Sequence, residues 1–341
     1  MKLSMRLGRR SYDIILKSGS LSRLGQLANL NRKVLIVTDD GVPAHYAKTV
    51  AQQCAQPLIY TLPQGENSKS IQQYQTILQT MIERGFCRRD LVVAVGGGVV
   101  GDLAGFVAAT YMRGVDFINC PTTTLSQIDS SIGGKVAINL GDAKNMVGAF
   151  WQPRLVAIDP DTLSTLPRRQ FSSGLAEAVK MSLTSDPELF ILLEQEEIEP
   201  NLETILYRSL SIKKQLVEQD EQEQGVRAVL NFGHTIGHGI EAVKGAHKLG
   251  EKGLYHGECV ALGILPMVES PALRKRVRAV YRKLGLPTTS RYDKQTVLDF
   301  MMLDKKRTGA KITVVKVPKL GQYRLDSIPL EELPTLLQGK K

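Results

Sequence analysis

The chain has 341 residues, of which 44 are Lys or Arg and 34 are Asp or Glu, so its formal net charge is +10. Hydrophobic residues make up 43% and charged residues 23%, which is ordinary for a globular protein and excludes disordered, collagen-like and low-complexity classes. No apolar run approaches the ~18 residues of a membrane span, so no membrane partner is expected. At about 150 residues per domain, the length favours two domains.

The N-terminal segment and the cysteines both indicate a cytoplasmic protein. Residues 1–19 carry positive charge but lack the apolar stretch of a secretion signal. Cys54, Cys87, Cys120 and Cys259 form no closely spaced pair, as expected for a protein in a reducing compartment.

Short runs rich in β-branched residues alternate with amphipathic segments up to about residue 160. The predicted strands are Lys33–Thr38, Pro57–Leu62, Leu91–Val95, Phe117–Cys120 and Leu155–Ile158. The predicted helices between them are Ala44–Ala55, Ser70–Gly85 and Gly101–Tyr111. Because such alternation is typical of a mostly parallel sheet with helices on both faces, residues 1–160 are predicted to form an α/β domain.

Helical periodicity dominates residues 161–341. The predicted helices are Ser172–Met181, Asp186–Gln195, Leu202–Gln219, Gly225–Val243, Glu258–Glu269, Pro271–Leu284 and Lys294–Met302. A single late strand candidate lies at Ile312–Val317. The second domain is therefore predicted to be all-α apart from that segment.

A glycine-rich loop follows the predicted strand Leu91–Val95. Gly96, Gly98 and Gly101 match G-x-G-x-x-G, and an apolar helix follows, so that backbone N–H groups could bind a pyrophosphate. The match to a dinucleotide-binding fingerprint is incomplete, because the loop is not on the first βα turn and no well-placed acid follows about 20 residues later. A tight turn without a ligand is the alternative interpretation.

Polar residues at the ends of two other predicted strands favour a nucleotide. Asp39 directly follows the first of these strands, Lys33–Thr38, and is the better candidate for binding a ribose. Thr122 and Thr123 follow another strand, at what would be the same carboxyl edge of the sheet.

Polar residues recur every three or four positions in the segment from residue 227 to residue 243. Arg227, Asn231, His234, His238 and Glu241 would lie along one face of a continuous helix. Two imidazoles and an asparagine on one stripe indicate the wall of a site, although a single buried histidine is more often a hydrogen-bonded core residue.

The histidines suggest a metal site, but their spacing leaves the ligand set open. His234 and His238 are spaced i and i+4, which suits zinc, and on spacing alone His256 would complete a trio. Glu177 is an acid in a small, apolar helical segment, with Lys180 one turn later. It is either an ion-paired helix residue or a metal ligand.

Several cations stand in glycine-rich or motif-like contexts rather than on periodic helix faces. They are Arg113, Lys135, Lys144, Lys213, Arg227, Lys305 and Lys306. Dispersed cations of this kind suit a compact polyanion such as a phosphate ester that carries a carboxylate. The basic segment Arg274–Lys283 is interpreted as a solvated helix surface, and aromatics are only 6% of the chain, so no nucleic-acid partner is expected.

Seven segments, in this order and spacing, resemble the 3-dehydroquinate synthase family of sugar-phosphate cyclases. They are GGGVVGDLAGF (96–106), PTTTLSQIDSSIGGK (121–135), AKNMVGAF (143–150), QP (152–153), LPRRQFSSGLAEAVK (166–180), RAVLNFGHTIGHGIEA (227–242) and HGECVALG (256–263). The resemblance runs from about Lys33 to Lys306. The segment Ser131–Lys135 follows the dehydroquinate type rather than the related 2-deoxy-scyllo-inosose synthases.

The resemblance implies a lyase of the shikimate pathway, with an NAD-binding α/β domain followed by a helical domain that holds a divalent metal, zinc or else cobalt. The substrate would be 3-deoxy-D-arabino-heptulosonate 7-phosphate. Transient NAD-dependent oxidation, phosphate elimination, reduction and an intramolecular aldol closure would give 3-dehydroquinate and phosphate. The alternatives are a metal-dependent polyol dehydrogenase of the glycerol dehydrogenase type and, from another class, a non-enzymatic basic binding protein.

The resemblance also implies residue roles. The metal ligands would be Glu177, His234 and His256. NAD would contact Asp39, Glu66, Lys69, Gly97, Gly98, Asp102, Thr122, Thr123, Lys144 and Thr165. The substrate and its proton transfers would involve Arg113, Asp129, Lys135, Asn145, Lys180, Lys213, Arg227, Asn231, His238 and one or both of Lys305 and Lys306. Because the family's counterpart of Arg113 reaches a neighbouring subunit, a homodimer is implied.

Overall fold

The structure, a computed structural model, describes residues 1–141, 143–305 and 311–337. The chain divides into two compact units, Met1–Pro167 and Arg168–Lys341, so the division falls somewhat later than the position expected from the sequence. Within the described ranges, no helix is both long enough and apolar enough to cross a membrane.

The described residues of the first unit, 1–141 and 143–167, form nine strands and four α-helices. The strands are β1 (Lys2–Met5), β2 (Tyr12–Leu16), β3 (Lys33–Asp39), β4 (Gln56–Leu62), β5 (Leu91–Gly96), β6 (Asp116–Pro121), β7 (Lys135–Leu140), β8 (Ala143–Phe150) and β9 (Leu155–Ile158). The helices are α1 (Leu24–Leu27), α2 (Ala44–Ala51), α3 (Ile71–Glu83) and α4 (Gly98–Thr110).

Seven of these strands form one sheet in the order β1-β2-β9-β6-β5-β3-β4, and all neighbours are parallel except β1 and β2. Apolar side chains of α3 and α4 pack on one face of the sheet, and those of α1 and α2 pack on the other. Strand β5 is buried along its whole length, as expected for a parallel strand covered on both faces. The predicted mostly parallel α/β architecture is confirmed.

Four strands of this unit were not predicted. Strands β1 and β2 are short, and β2 pairs with β9, more than 100 residues away in the sequence. Strands β7 and β8 form a separate antiparallel hairpin that packs against α4. The hairpin places Lys144 and Asn145 in a strand.

The second unit is mostly helical. Its helices are α5 (Arg168–Ser185), α6 (Pro187–Gln195), α7 (Leu202–Gln219), α8 (His234–Lys244), α9 (Ala246–Leu249), α10 (His256–Ile264), α11 (Pro271–Leu284), α12 (Lys294–Lys305) and α13 (Leu333–Leu337). Strands β10 (Lys311–Lys319) and β11 (Gln322–Pro329) form an antiparallel hairpin. The prediction of an all-α unit is therefore wrong in this respect, because the late strand candidate pairs with a second strand across the turn at Gly321.

The predicted continuous helix Gly225–Val243 is also wrong, because it is broken. A 3₁₀ segment covers Val226–Asn231, and α8 begins at His234 after Gly233. Gly233 has φ = +79°, and a Cβ there would lie 2.4 Å from the side chain of Ile264 in α10. The turn therefore needs glycine. Arg227 and Asn231 consequently do not share a helix face with the histidines of α8.

Candidate active site

Helix α5 carries an acid and a base in the interior of the second unit. The side chains of Glu177 and Lys180 are 1% and 2% exposed, and the Lys180 ammonium pairs with Oε2 of Glu177. A buried charge requires a partner. The sequence left Glu177 either as an ion-paired residue or as a ligand, and the structure is compatible with both roles at once, because its Oε1 faces two histidines.

Helix α8 presents His234 at its first residue. Nδ1 of His234 lies 3.2 Å from the backbone carbonyl oxygen of Phe232. Because a carbonyl only accepts, Nδ1 carries the proton and the lone pair is on Nε2. Burial, followed by the nearby charge of Lys180, holds the pKa of His234 well below its usual value. The ring is therefore neutral at pH 7, which is the form that binds metals.

Helix α10 begins at His256, and its first turn lies against α5. The next residue, Gly257, approaches so closely that a Cβ there would be 1.8 Å from the backbone oxygen of Ser173. Glu258 accepts hydrogen bonds from Nε of Arg169 at 2.8 Å and from the backbone N–H of Tyr255 at 2.8 Å. These contacts fix the start of α10, and with it His256, relative to α5.

Three donor atoms from these three helices converge. Nε2 of His234 and Nε2 of His256 lie 3.8 Å and 3.7 Å from Oε1 of Glu177. The ligand atoms of the three residues all lie within 4.8 Å of one another. Two imidazoles and one carboxylate are a donor set of catalytic zinc sites, which keep a fourth position for substrate or water. The residues therefore fit a divalent cation.

His238 and Glu241 follow His234 on the same face of α8. His238 is exposed, and its ring centroid lies 5.2 Å from that of His234 and 5.9 Å from that of His256. Oε2 of Glu241 lies 2.9 Å from Nδ1 of His256. The trio that spacing alone suggested contains His238, whereas the histidine nitrogens that face Oε1 of Glu177 belong to His234 and His256.

A second group of polar residues lies around the 3₁₀ segment. Glu223 accepts a hydrogen bond from Nδ2 of Asn231 at 2.8 Å and lies 3.7 Å from Nε of Arg227. Arg227 and Lys213 are buried, whereas Asn231 is exposed. Sequence reasoning missed Glu223 because it lies in an acidic loop without periodicity. Lys305 is the last residue of α12, and Lys306 lies outside the described residues.

In the first unit, strands β4 and β5 lie on opposite sides of β3, so the order of the strands reverses there. Ligands of open α/β sheets bind at the carboxyl ends of strands at such a point. Asp39 ends β3, and Gly97 caps the helix that follows β5. A cavity of about 450 Å³ opens at this edge, lined by Thr38, Asp39, Asp40, Gly41, Val42, Pro43, Ala44, Ala47, Lys48, Ile59 and Thr61.

The carboxylate of Asp39 is buried at the carboxyl edge of the sheet. Burial raises its pKa, although the backbone N–H groups of Gly41 and Val42, at 2.9 Å and 3.1 Å, donate to it and lower the pKa in part. Asp39 thus places a buried carboxylate at the carboxyl edge of the sheet.

A polar network links the other candidates of this unit. Lys69 donates to Oδ2 of Asp102 at 2.6 Å and to Oδ1 of Asn145 at 2.5 Å. Asn139 donates to Oε1 of Glu66 at 2.8 Å and accepts from the backbone N–H of Asn145 at 2.9 Å. The network thus brings together four of the candidate residues, Glu66, Lys69, Asp102 and Asn145. It also contains Asn139, which the sequence did not suggest as a candidate.

The remaining candidates of the first unit are spread around the sheet edge and the hairpin. Thr122 follows β6 and donates its N–H to the carbonyl of Gly96, which is next to Gly97 and Gly98. Thr123 hydrogen-bonds Ser126. Asp129 lies in the short helical segment Ser126–Ser130. Lys135 is exposed at the start of β7, and Lys144 is half-buried in β8. The hydroxyl of Thr165 lies 2.9 Å from the hydroxyl of Tyr46. Arg113 is exposed and has φ = +68°.

Solved structures of two sugar-phosphate cyclases are similar to the chain. 2-Epi-5-epi-valiolone synthase from Streptomyces hygroscopicus subsp. jinggangensis, with NAD⁺ and Zn²⁺ bound, is 26% identical and has a TM-score of 0.85, covering 98% of this chain and 97% of its own. 2-Deoxy-scyllo-inosose synthase, complexed with carbaglucose-6-phosphate, NAD⁺ and Co²⁺, has a TM-score of 0.85 over the whole of both chains. At 24% identity the latter shows the fold alone.

Family models and a curated relative give a more specific assignment. The model of the 3-dehydroquinate synthase N-terminal family matches residues 59–173, and that of the C-terminal family matches residues 174–307. The 3-dehydroquinate synthase of Streptococcus mutans serotype c is 41% identical over 359 aligned positions, which cover 99% of this chain and 100% of the relative. The chain therefore belongs to the 3-dehydroquinate synthase family.

Proposed function

We propose that the chain converts 3-deoxy-D-arabino-heptulosonate 7-phosphate into 3-dehydroquinate and phosphate, as a carbon–oxygen lyase that uses NAD and a divalent metal. Family membership favours this reaction over a polyol dehydrogenase of the glycerol dehydrogenase type and over a non-enzymatic binding protein. The observation that carries the proposal is the convergence of Glu177, His234 and His256 beside the ammonium of Lys180.

Glu177, His234 and His256 would hold the metal, with zinc as the expected ion and cobalt as a substitute. When bound, the metal would polarise oxygen atoms of the substrate, and NAD would accept a hydride and return it. The neutral ring of His234 supports this assignment, because its Nε2 lone pair faces Glu177. The two similar structures contain NAD⁺ together with Co²⁺ or Zn²⁺, which also favours this pair of cofactors.

NAD would bind at the carboxyl edge of the sheet in the first unit. Asp39 would accept hydrogen bonds from a ribose, and the start of α4 at Gly97 and Gly98 would present backbone N–H groups to the pyrophosphate. The ion pairs of Lys69 with Glu66 and Asp102 would hold these three side chains at fixed positions around the cofactor. The other proposed contacts are Thr122, Thr123, Lys144 and Thr165.

The remaining residues would bind the substrate and move its protons. Lys180 would orient an anionic oxygen near the metal ligands, and exposed His238 would hold or move a proton at a substrate hydroxyl. Cationic and amide side chains would hold the phosphate and carboxylate groups of the substrate, so that every chemical step starts from the same substrate geometry. The residues proposed for these contacts are Arg113, Asp129, Lys135, Asn145, Lys213, Arg227, Asn231, Lys305 and Lys306.

We further propose that the protein works in the cytoplasm as a homodimer in which Arg113 serves the neighbouring subunit. Arg113 is exposed and follows Met112, and both residues have positive φ. Positive φ is uncommon for residues other than glycine and occurs often at functional sites. The conformation therefore supports a role for Arg113 beyond local structure. Sedimentation analysis of the wild-type protein tests the dimer.

The decisive experiment supplies the heptulosonate phosphate with catalytic NAD⁺ and Zn²⁺ and measures both phosphate and dehydroquinate, with and without a chelator. We expect equal amounts of the two products, no net NADH, and loss of turnover with the chelator. Glu177→Gln removes a charged ligand and should lower turnover at least about 100-fold. Glu188→Gln alters an acid that is 80% exposed on α6 and should leave turnover unchanged.

Two results would contradict the proposal. One NADH formed per substrate without phosphate release would indicate a polyol dehydrogenase. Phosphate release without dehydroquinate would exclude the cyclisation.

A further inference from the structure

An acid outside the proposed ligand set contacts one of the proposed ligands. Oε2 of Glu241 lies 2.9 Å from Nδ1 of His256, and the Glu241 side chain is only 15% exposed. The other ring nitrogen of His256, Nε2, lies 3.7 Å from Oε1 of Glu177. The imidazole therefore lies between two carboxylates, each facing a different nitrogen.

The packing of α8 against α10 produces this contact. Glu241 is seven residues after His234, two turns along the helix, so both lie on the same face. That face meets the first residue of α10, which is His256. Both ends of the hydrogen bond are thus on regular helices, and the start of α10 is further fixed by Glu258 and Arg169.

The hydrogen bond determines which nitrogen of His256 carries the proton. An ionised carboxylate only accepts hydrogen bonds, so Nδ1 of His256 must donate. In the neutral ring the lone pair is then on Nε2, which faces Glu177. The carbonyl of Phe232 imposes the same tautomer on His234. Both imidazoles consequently present Nε2 to Glu177.

We propose that Glu241 is a positioning residue that fixes the tautomer and the ring orientation of His256 for metal binding. The inference rests on the proposed function, in that His256 is taken to be a metal ligand. Carboxylates that accept from a ligating histidine hold the ring and raise its basicity, and their loss typically weakens metal binding about 10–100-fold.

A second arrangement deserves comparison, because His238, Glu241 and His256 also have ligand atoms within 4.8 Å of one another. A cation held by these three would need Nδ1 of His256. That atom already lies at hydrogen-bond distance from Glu241. His238, moreover, is exposed. The geometry favours the positioning role over a second cation.

The tautomer can be measured in the metal-free protein, without any catalytic assay. Long-range ¹H–¹⁵N spectra at alkaline pH report which ring nitrogen is protonated, and the chain has only five histidines to assign. Comparison with His256→Ala identifies the signals of His256. We expect an Nδ1-protonated ring in the wild type and a mixture of tautomers in Glu241→Ala, while His234 remains unchanged.

Metal affinity provides the second readout. Co²⁺ is titrated into the metal-free protein in competition with a chromophoric chelator, and its visible absorption reports the coordination. Glu241→Ala should weaken binding about 10–100-fold. Glu241→Gln should bind more tightly than Glu241→Ala, because the amide oxygen still accepts from Nδ1. Glu188→Ala, in the same unit, is the control for loss of an acid.

The outcomes separate this inference from the proposed function. If the wild type binds Co²⁺ and His256→Ala does not, but Glu241→Ala binds like the wild type with an unchanged tautomer, the positioning role is wrong and the proposed function stands. Two equivalents of Co²⁺ per chain, one of them lost in Glu241→Ala, would overturn the positioning role in favour of a second cation. If the wild type itself binds no Co²⁺ or Zn²⁺, both proposals fail.

Discussion

Lys69 donates a hydrogen bond from Nζ to Oδ2 of Asp102 at 2.6 Å, although only 4% of the lysine side chain is exposed. Burial alone would lower the pKa of Lys69, but the charges of Asp102 and Glu66 outweigh it and raise the pKa. The pair therefore stabilises the first unit below the unfolded-state pKa of lysine, about 10.4, and its contribution is lost as the pH rises through the higher folded-state pKa.

Replacing Asp102 by Ala should consequently cost stability, because it leaves a buried ammonium without its nearest carboxylate. We expect the free energy of unfolding to fall by about 3 kcal/mol at pH 7. Asp13→Ala breaks the exposed pair of Asp13 with Lys2 and should cost at most about 1 kcal/mol. Urea unfolding measures both. An equally small loss for the two variants would show that Lys69 does not depend on Asp102.

Gly257→Ala should separate α10 from α5. The added Cβ would lie 1.8 Å from the backbone oxygen of Ser173, and backbone atoms of two packed helices cannot yield as a flexible side chain can. We expect a loss of about 1–3 kcal/mol in stability and weaker metal binding, since His256 moves relative to Glu177.

Gly25→Ala is the matched control for this substitution. A Cβ at Gly25 meets its nearest atom at 3.6 Å, which is an ordinary contact, and Gly25 also lies in a helix. We expect it to retain both stability and Co²⁺ affinity. Wild-type affinity in Gly257→Ala would mean that the distance between the two helices does not control the site.

The sequence reveals those parts of the fold that depend on local pattern. Strand β5 is visible because its run of β-branched residues is buried on both faces. Strand β2 is not visible, because its partner β9 lies more than 100 residues away and only the folded sheet brings them together. The break before α8 is hidden for a similar reason, since it depends on the fit of Gly233 against Ile264.

In the candidate site, too, local sequence patterns were informative, whereas contacts between distant segments were not. The spacing of His234 and His238 by four residues is a local feature, and it suggests a trio that includes His238. In the structure the ligand atoms of Glu177, His234 and His256 converge, as do those of His238, Glu241 and His256, and the first group requires three helices to pack at close distances. Periodicity carries no information about that packing, so the resemblance to a family was needed to select Glu177. Glu241 and His256 were both visible in the sequence, but the hydrogen bond between them was not.

Tyr281→Phe should stabilise the second unit. Tyr281 is fully buried on α11, and its hydroxyl has no hydrogen-bond partner among the described residues. Burial, followed by the charge of Glu177, raises the pKa of this hydroxyl. A buried hydroxyl without a partner costs about 1–3 kcal/mol, so its removal should raise the free energy of unfolding by about 1 kcal/mol.

Tyr111→Phe is the opposite case. The Tyr111 hydroxyl is also buried, but it donates to the carbonyl oxygen of Phe86 at 2.8 Å. Its loss should lower the free energy of unfolding by about 1 kcal/mol. Denaturant unfolding of the two variants should therefore give changes of opposite sign. A destabilised Tyr281→Phe would indicate that this hydroxyl is hydrogen-bonded after all, for example through a buried water.

Asp186→Asn should destabilise the second unit in a pH-dependent way. Asp186 caps α6 by accepting from the backbone N–H of Leu189 at 3.0 Å, and it accepts from Arg208 at 2.7 Å and 2.6 Å. Burial alone would raise its pKa, but the hydrogen bonds and the charge of Arg208 outweigh it and lower the pKa. The stabilisation is therefore complete above the unfolded-state pKa of about 3.9 and is lost as the pH falls through the lower folded-state value. We expect a deficit of about 2 kcal/mol at pH 7, because a charged acceptor is replaced by a neutral one.

The same deficit should shrink as the pH falls below about 3.9, because the unfolded wild-type carboxyl then binds a proton while the folded one is still ionised. Urea unfolding at pH 7 and near pH 3 measures the difference between wild type and variant, in which groups common to both cancel. Glu188→Gln serves as the control, since Glu188 contacts the same Arg208 at 2.9 Å but is 80% exposed, and it should change stability little at either pH. A deficit that stays constant between the two pH values would show that the charge of Asp186 is not the source of its contribution.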